Sequence, residues 1–228
     1  MEFIIKERII LQYIKNFFIV LALFVLSQLS MTVFSIVQLS LTKPLSGLGL
    51  LVMFLFVFAN IALLLWLAKR LKLIQLNFSW VTRKNILIIL GATLLLRLVA
   101  IGGTLLIQQS SGQQTSNNDA MLNTMFHAVN PALLFLLIAI SAPIMEEIVF
   151  RAGIIKLLCR KLPILGIALS SICFGMMHMT TDIPNFFLYA SMGLVLSIAY
   201  YKSASLEVSI MVHFLNNAMA SIAMILMQ

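Results

Sequence analysis

The chain has 228 residues, 62% hydrophobic and 10% charged, with a mean hydropathy of +1.09. Water-soluble domains carry about 25% charged and about 45–50% apolar residues, so a soluble enzyme, a disordered chain, a collagen and a disulfide scaffold are excluded, and a polytopic membrane protein remains. The net charge of +8, from 15 Lys and Arg against 7 Asp and Glu, fits basic cytoplasmic loops rather than nucleic-acid binding, and apolar stretches that are continuous rather than alternating argue against a β-barrel.

A membrane helix takes about 20 mostly apolar residues. The segment 1–16 predicts a short basic amphipathic helix, an interfacial anchor. Seven spans follow, over 17–39, 47–68, 86–107, 131–151, 164–181, 184–201 and 206–227. The fold class is an all-α polytopic bundle with neither internal repeat nor soluble domain, divided into N-terminal membrane helices (1–130) and a C-terminal segment (131–228). The run from Phe17 to Leu39 is too long for the core of a cleaved signal, and no small-residue cleavage site follows it.

Lys6, Arg8 and Lys15 precede the first span, and Lys43 stands alone after it. Lys69, Arg70, Lys72, Arg83 and Lys84 crowd the second loop, whereas the third, 108–120, has no base. Arg151, Lys156, Arg160 and Lys161 lie between spans four and five, Asp182 marks a base-free turn, and Lys202 precedes the last span. This alternation puts the N-terminus in the cytoplasm and the C-terminus outside. Cys159 and Cys173 lack metal spacing and read as free thiols. Asp182 reads as a solvated outer turn and Pro184 as the start of the next helix. The 14 methionines, frequent in the C-terminal half, read as fillers of core gaps.

Charges inside a bilayer cost at least about 2.5–3.5 kcal/mol each at a helix centre. Clear of the span ends, five ionisable residues fall within the spans: Arg97, Glu146, Glu147, His178 and His213. Glu147 and Arg151, four apart, share a helix face and can neutralise each other. Glu146 projects about 100° away without a local partner, which suits a general base or acid. A purely structural network of all three is the alternative. Phe174 precedes His178 by four residues and can pack on its ring; a satisfied core histidine is the alternative there. His213 and Asn217 share a face, with Asn216 as a substitute, and offer oxyanion donors or, alternatively, helix–helix glue. Glu146 stands 15 residues before the turn at Lys161 and His178 17 after it, so their heights differ by about 3 Å in a straight hairpin. His213 joins them if that hairpin projects about 10 Å further into the cytoplasm. Arg97, mid-span, can snorkel, pair with Glu146 or another polar group, or receive a substrate carboxylate.

Glu146, Glu147 and Arg151, then Phe174 and His178, then His213 and Asn217, in that order on successive membrane helices, resemble the CPBP family. These are the CAAX-protease and bacteriocin-processing (Abi) intramembrane proteases, which include the Ras-converting CAAX endopeptidase. The resemblance covers about 131–228. It implies a helical bundle with a polar cavity open to the cytosol, in which Glu146 and His178 activate water, His213 and Asn217 stabilise the oxyanion, and Glu147, Arg151 and Phe174 support them. Hydrolysis of a peptide bond in a membrane-associated peptide or protein is the implied activity, and no Ser or Cys sits at motif spacing to a base. The family's metalloprotease label admits zinc on Glu146, His178 and His213. There is no H-E-x-x-H helix, and the family's structural precedent favours a glutamate-dependent reaction without a cofactor. The compact bundle reads as a multi-pass protein of a bacterial plasma membrane, a setting in which the family is linked to maturation of peptide pheromones or bacteriocins and to self-immunity. Prenylated CAAX proteins are the eukaryotic substrates. A non-catalytic immunity or partner-binding protein, and a transporter with a proton relay, are the rival readings.

Overall fold

The structure, a computed structural model, describes residues 2–41 and 43–227, without the side chains of 2–6 and 9. The side chain of Lys6 is therefore outside the described residues. Regular structure among them is entirely helical: α1 (Glu2–Ser40), α2 (Gly47–Arg70), α3 (Arg83–Ser111), α4 (Asn117–Met125), α5 (Pro131–Leu158), α6 (Pro163–Met176), α7 (Ile183–Ser203) and α8 (Leu206–Leu226). Six of them are long and apolar enough to cross a membrane, which makes the chain a multi-pass membrane bundle.

The expected spans need three corrections. The basic segment 1–16 is not a separate helix, because α1 runs through its described residues into the first span without a break. The base-free loop 108–120 carries the start of α4, which begins when the Ser116 hydroxyl accepts from the Asp119 N–H at 3.1 Å. The fifth span ends early: α6 has 14 residues, about 21 Å, against a hydrocarbon core of about 30 Å. The chain leaves the helix at Met177, turns through Met179 at φ 51°, and restarts at Ile183.

The restart is a capped one. Asp182 accepts from the Asn185 N–H at 2.8 Å, with Pro184 in the first turn of α7. Asp182 is thus a helix cap rather than a merely solvated residue. The Asn185 backbone and side-chain donors hold its carboxyl below the ordinary carboxylate range. A carboxyl depressed by folding stabilises above its unfolded value of about 3.9 and loses that contribution as pH falls through the folded value. Asp182→Ala should therefore cost about 1 kcal/mol at neutral pH, a gap to wild type that closes below about pH 3.9 in detergent melts.

α5 is the central element. In its most apolar window 72% of the residues are buried inside the bundle, against 11% for α3 at the periphery. Leu133, Leu134, Leu137 and Ile148 form its core face. α1 packs along it, the Asn16 amide donating to Leu157 O at 2.9 Å, and Phe34 of α1 stacks on Phe126 at 4.8 Å. Asn60 of α2 donates to Ser30 Oγ of α1 at 2.9 Å, a polar tie between membrane helices. The second loop is clamped rather than free: Lys156 donates to Lys72 O at 2.7 Å, and Glu207 accepts from Gln75 N at 3.0 Å.

α6 and α7 approach through small residues. A Cβ on Gly193 would lie 2.9 Å from Phe174 Cβ, and one on Gly175 3.0 Å from Ala190 Cβ. Gly193→Ala must push Phe174 aside, and overpacking of this kind costs about 1–3 kcal/mol. The expected result is a lowered melting temperature in detergent, with a loss of function that exceeds the stability loss because Phe174 carries the ring of His178.

Candidate active site

The site is assembled on a distorted part of α5. The helix widens to π geometry over Leu136–Ser141, where Ala142 N–H reaches back to Leu137 O. In that register Ile138 O should accept from residue 143, which is proline and has no N–H. Asn217 of α8 supplies the missing donor, its Nδ2 lying 3.1 Å from Ile138 O. Ordinary helix returns over Ala142–Glu147, which presents both glutamates, and widens again over Ile148–Leu158. Such π turns inside helices recur at functional sites.

Glu147 is fully buried and faces Arg151, with Arg151 Nε 3.2 Å from Glu147 Oε2. The pairing read from the sequence is therefore present, inside a larger network. Ser209 of α8 donates to Glu147 Oε2. His213 Nδ1 lies 3.0 Å from Glu147 Oε1. Arg151 also donates to Gly193 O at 3.2 Å and lies 4.7 Å from the Phe174 ring centroid. A carboxylate only accepts, so His213 Nδ1 carries the proton in this contact and Nε2 is left facing Glu146.

Glu146 stands apart from that network. Its Oε2 is buried and makes no hydrogen bond among the described residues. His178 Nε2 is 3.8 Å away and His213 Nε2 3.9 Å. Both exceed a direct hydrogen bond, and polar groups at such a separation can share one water. The level heights expected from the hairpin are met, and His213 reaches the same point.

His178 lies in the turn after α6 rather than on the helix. Its ring is held three ways. Nδ1 donates to Phe174 O at 2.7 Å, which fixes Nε2 as the acceptor in the neutral ring. Phe174 packs on one side with centroids 4.3 Å apart. Tyr189 stacks on the ring at 4.5 Å and 15°. The Tyr189 hydroxyl is tied in turn to Ser116 Oγ at 2.7 Å and Asp119 Oδ1 at 3.0 Å.

Glu146, His178, His213 and Asn217 line one cavity of about 630 Å³, together with Arg97 and several methionines. α1 and α3 contribute to its wall through Ser30, Met31, Arg97 and Thr104. Arg97 makes no ion pair among the described residues, with Glu146 or any other acid. Its contact is Asn216 Oδ1, 3.5 Å from Nη1. Cys159 and Cys173 are free thiols.

Two imidazoles and a carboxylate are donor types that zinc takes. Yet among the described residues no three His, Cys, Asp or Glu side chains are grouped to hold a metal ion. The nitrogen-to-oxygen separations of 3.8 and 3.9 Å exceed the roughly 3.4 Å between tetrahedral ligands at about 2.1 Å from zinc. As placed, the donor set does not fit a tetrahedral zinc site.

Sequence reasoning missed Ser209, Tyr189 and Asp119 as supports. Ser209 had a readable signal, four residues before His213 on one helix face. Tyr189 and Asp119 meet across about 70 residues of chain, and no local spacing reports that.

Residues 128–219 match the family model of the type II CAAX prenyl endopeptidase Rce1-like group. That segment holds every motif residue from Glu146 to Asn217 and leaves out Arg97. Two Lactococcus lactis (subsp. lactis, strain IL1403) proteins are similar: UPF0177 protein YvdC at 29% identity over 62% of this chain and 53% of its own length, and UPF0177 protein YaiH at 35% over 44% and 41%. A third relative, the Bacillus subtilis (strain 168) protein named "Putative membrane peptidase YdiL", is 32% identical over 46% of this chain and 42% of its own. The chain thus aligns with about half the length of these relatives or less. No solved structure matches it. The resemblance to the CPBP family drawn from the motifs is supported by this independent match over the same segment.

Proposed function

We propose that the protein is an intramembrane endopeptidase that hydrolyses a peptide bond of a membrane-associated peptide or protein, by a water molecule activated at Glu146. The observation that carries this reading is the convergence of His178 Nε2 and His213 Nε2 on Glu146 Oε2, at 3.8 and 3.9 Å. The family match and the peptidase name of one relative support it.

In this reading a water at that point donates one hydrogen to Glu146 and the other to His178 Nε2. Glu146 removes the proton as the oxygen attacks the carbonyl carbon. The carbonyl oxygen becomes an oxyanion, met by the remaining N–H of Asn217 and by Nε2–H of His213 in its protonated form. Glu147 supplies the counter-charge to that imidazolium through Nδ1. Glu146 then returns its proton to the leaving nitrogen as the C–N bond breaks, giving an amine and a carboxylic acid, and the water's second proton leaves through His178 Nε2 to solvent as the acid becomes a carboxylate. Acid–base help of this kind is worth about 10²–10⁴-fold, and each oxyanion donor about 10²–10³-fold. The family resemblance implies a role in the maturation of peptide pheromones or bacteriocins, or in bacteriocin self-immunity, in the plasma membrane of a bacterium.

The test of mechanism uses protein reconstituted in liposomes and the membrane-peptide fraction of cells expressing Glu146→Gln, in which uncut substrate accumulates. In ¹⁸O-labelled water the new C-terminal carboxylates should take up label, hydroxylamine should form no hydroxamate, and a zinc chelator should leave the rate unchanged. A hydroxamate product would establish an acyl-enzyme. A rate lost to chelation and restored by zinc would establish a metalloprotease.

A further inference from the structure

Arg97 lies on α3, outside the segment matched by the family model, in a span where a charge is costly. It faces the cavity without an acidic partner among the described residues. Its one polar contact among the described residues heads a chain that leads to the site. Arg97 Nη1 is 3.5 Å from Asn216 Oδ1. Asn216 Nδ2 donates to Asn217 Oδ1 at 3.1 Å. Asn217 Nδ2 donates to Ile138 O at 3.1 Å.

A side-chain amide has an acceptor end and a donor end, and two amides in series can run in either direction. Asparagine pairs alone do not choose. The Ile138 carbonyl, which only accepts, favours one direction from the α5 end, and the guanidinium, which only donates, holds the same direction from the other. The guanidinium demands the oxygen of Asn216, which turns the Asn216 NH₂ toward Asn217. Asn217 must then present its oxygen to Asn216, and its NH₂ faces α5. One of those two N–H groups satisfies Ile138 O, the carbonyl orphaned by Pro143. The other remains for the cavity. In the reverse direction Asn217 would turn its oxygen toward α5, opposing one acceptor to another and placing a lone pair where an oxyanion forms.

We propose that Arg97 is a positioning residue for Asn217: through Asn216 it holds the direction of both amides, so that a donor rather than an acceptor faces the reacting carbonyl. The inference rests on the protease reading and adds a residue of the N-terminal helices to the site. A substrate-carboxylate role for Arg97 makes a different kinetic prediction, and the two separate cleanly.

The experiment measures cleavage of the membrane-peptide fraction from Glu146→Gln cells, by mass spectrometry, over a dilution series from saturating to sub-saturating substrate. The proteins are wild type, Arg97→Leu, Arg97→Lys, Asn217→Ala and the Arg97→Leu/Asn217→Ala pair, each shown to be monodisperse in detergent with a wild-type melting temperature. Arg97→Leu should lower the saturated rate roughly tenfold or more, short of the about 10²-fold expected from deleting a donor outright, with KM unchanged. Arg97→Lys, still donor-only, should recover most of that rate. Because Arg97 acts through Asn217, the double variant should be no slower than Asn217→Ala alone. A raised KM with an unchanged saturated rate, or losses that multiply in the double variant, would overturn the proposal in favour of substrate binding. Glu146→Gln runs alongside: if wild type cleaves no better than Glu146→Gln, the reading of a protease acting through Glu146 itself fails, whereas an inactive Glu146→Gln with a fully active Arg97→Leu fails the positioning role alone.

Discussion

Glu146→Gln should abolish hydrolysis while leaving the bundle intact. The substitution keeps the shape of the side chain and removes its capacity to take a proton, so the loss should be at least about 10²–10⁴-fold. The fold should not notice. Glu146 Oε2 makes no hydrogen bond among the described residues, and its nearest nitrogen partners are 3.8 and 3.9 Å away. Melting temperature and detergent elution profile should match wild type, and initial-rate measurement on the purified pair checks the rest. A variant that keeps more than about a tenth of the wild-type rate is incompatible with a proton-transfer role of the magnitude general bases have.

Arg151→Met should have the largest effect on stability. It leaves Glu147 fully buried with its charge opposed only by hydrogen bonds from Ser209 and His213. Breaking a buried pair by removing one partner costs about 3–5 kcal/mol, a large share of the roughly 5–15 kcal/mol that holds a domain folded. The expected result is little folded protein in the membrane, read from extracted yield and protease resistance. Arg151→Lys should rescue poorly, because an ammonium cannot pair with Glu147, reach Gly193 O and lie against the Phe174 ring at once. Neutralising both partners, with Glu147→Gln and Arg151→Met together, should recover much of the stability, since replacing a buried pair is often neutral. Cleavage should stay lost, because His213 Nδ1 then has no anionic partner to orient it and to balance an imidazolium. Stability and activity thus separate in this pair of variants, which a purely structural network would not do.

The membrane class and the helical bundle were legible because hydrophobic length is a direct physical signal. The motif residues were legible because an ion in a membrane span is expensive and therefore conspicuous. The spacing of Glu147 and Arg151 gave their pairing, and counting residues about Lys161 put Glu146 level with His178. What escaped the sequence depends on non-local or sub-helical geometry. Hydropathy ran the fifth span through to residue 181, since Met177 and Met179 are as apolar as helix residues, whereas α6 ends at Met176 and His178 sits in a turn. Hydropathy also separated 1–16 from the first span on charge, although a basic helix end and a membrane helix can be one continuous rod. Pro143 was present in the sequence, but its consequence, an orphan carbonyl at Ile138 filled from α8, needs the π register to be known. The division of Glu147 between Arg151, His213 and Ser209 needs the packing of α5 on α8. The stacking of Tyr189 on His178, anchored by Asp119, needs α4 and α7 brought together across the cavity.

The central claim is that this cavity cuts peptide bonds through Glu146, and comparative peptidomics tests it most directly. Cells lacking the native gene would express wild type or Glu146→Gln at matched levels, and their membrane-bound and secreted peptides would be sequenced. The expected result is a set of cleavage products present only with the wild type, with the uncut precursors accumulating in the Glu146→Gln cells. Identical peptide sets from both, together with an unchanged cellular phenotype, would contradict the claim and point to a partner-binding or immunity protein that keeps the fold without the reaction.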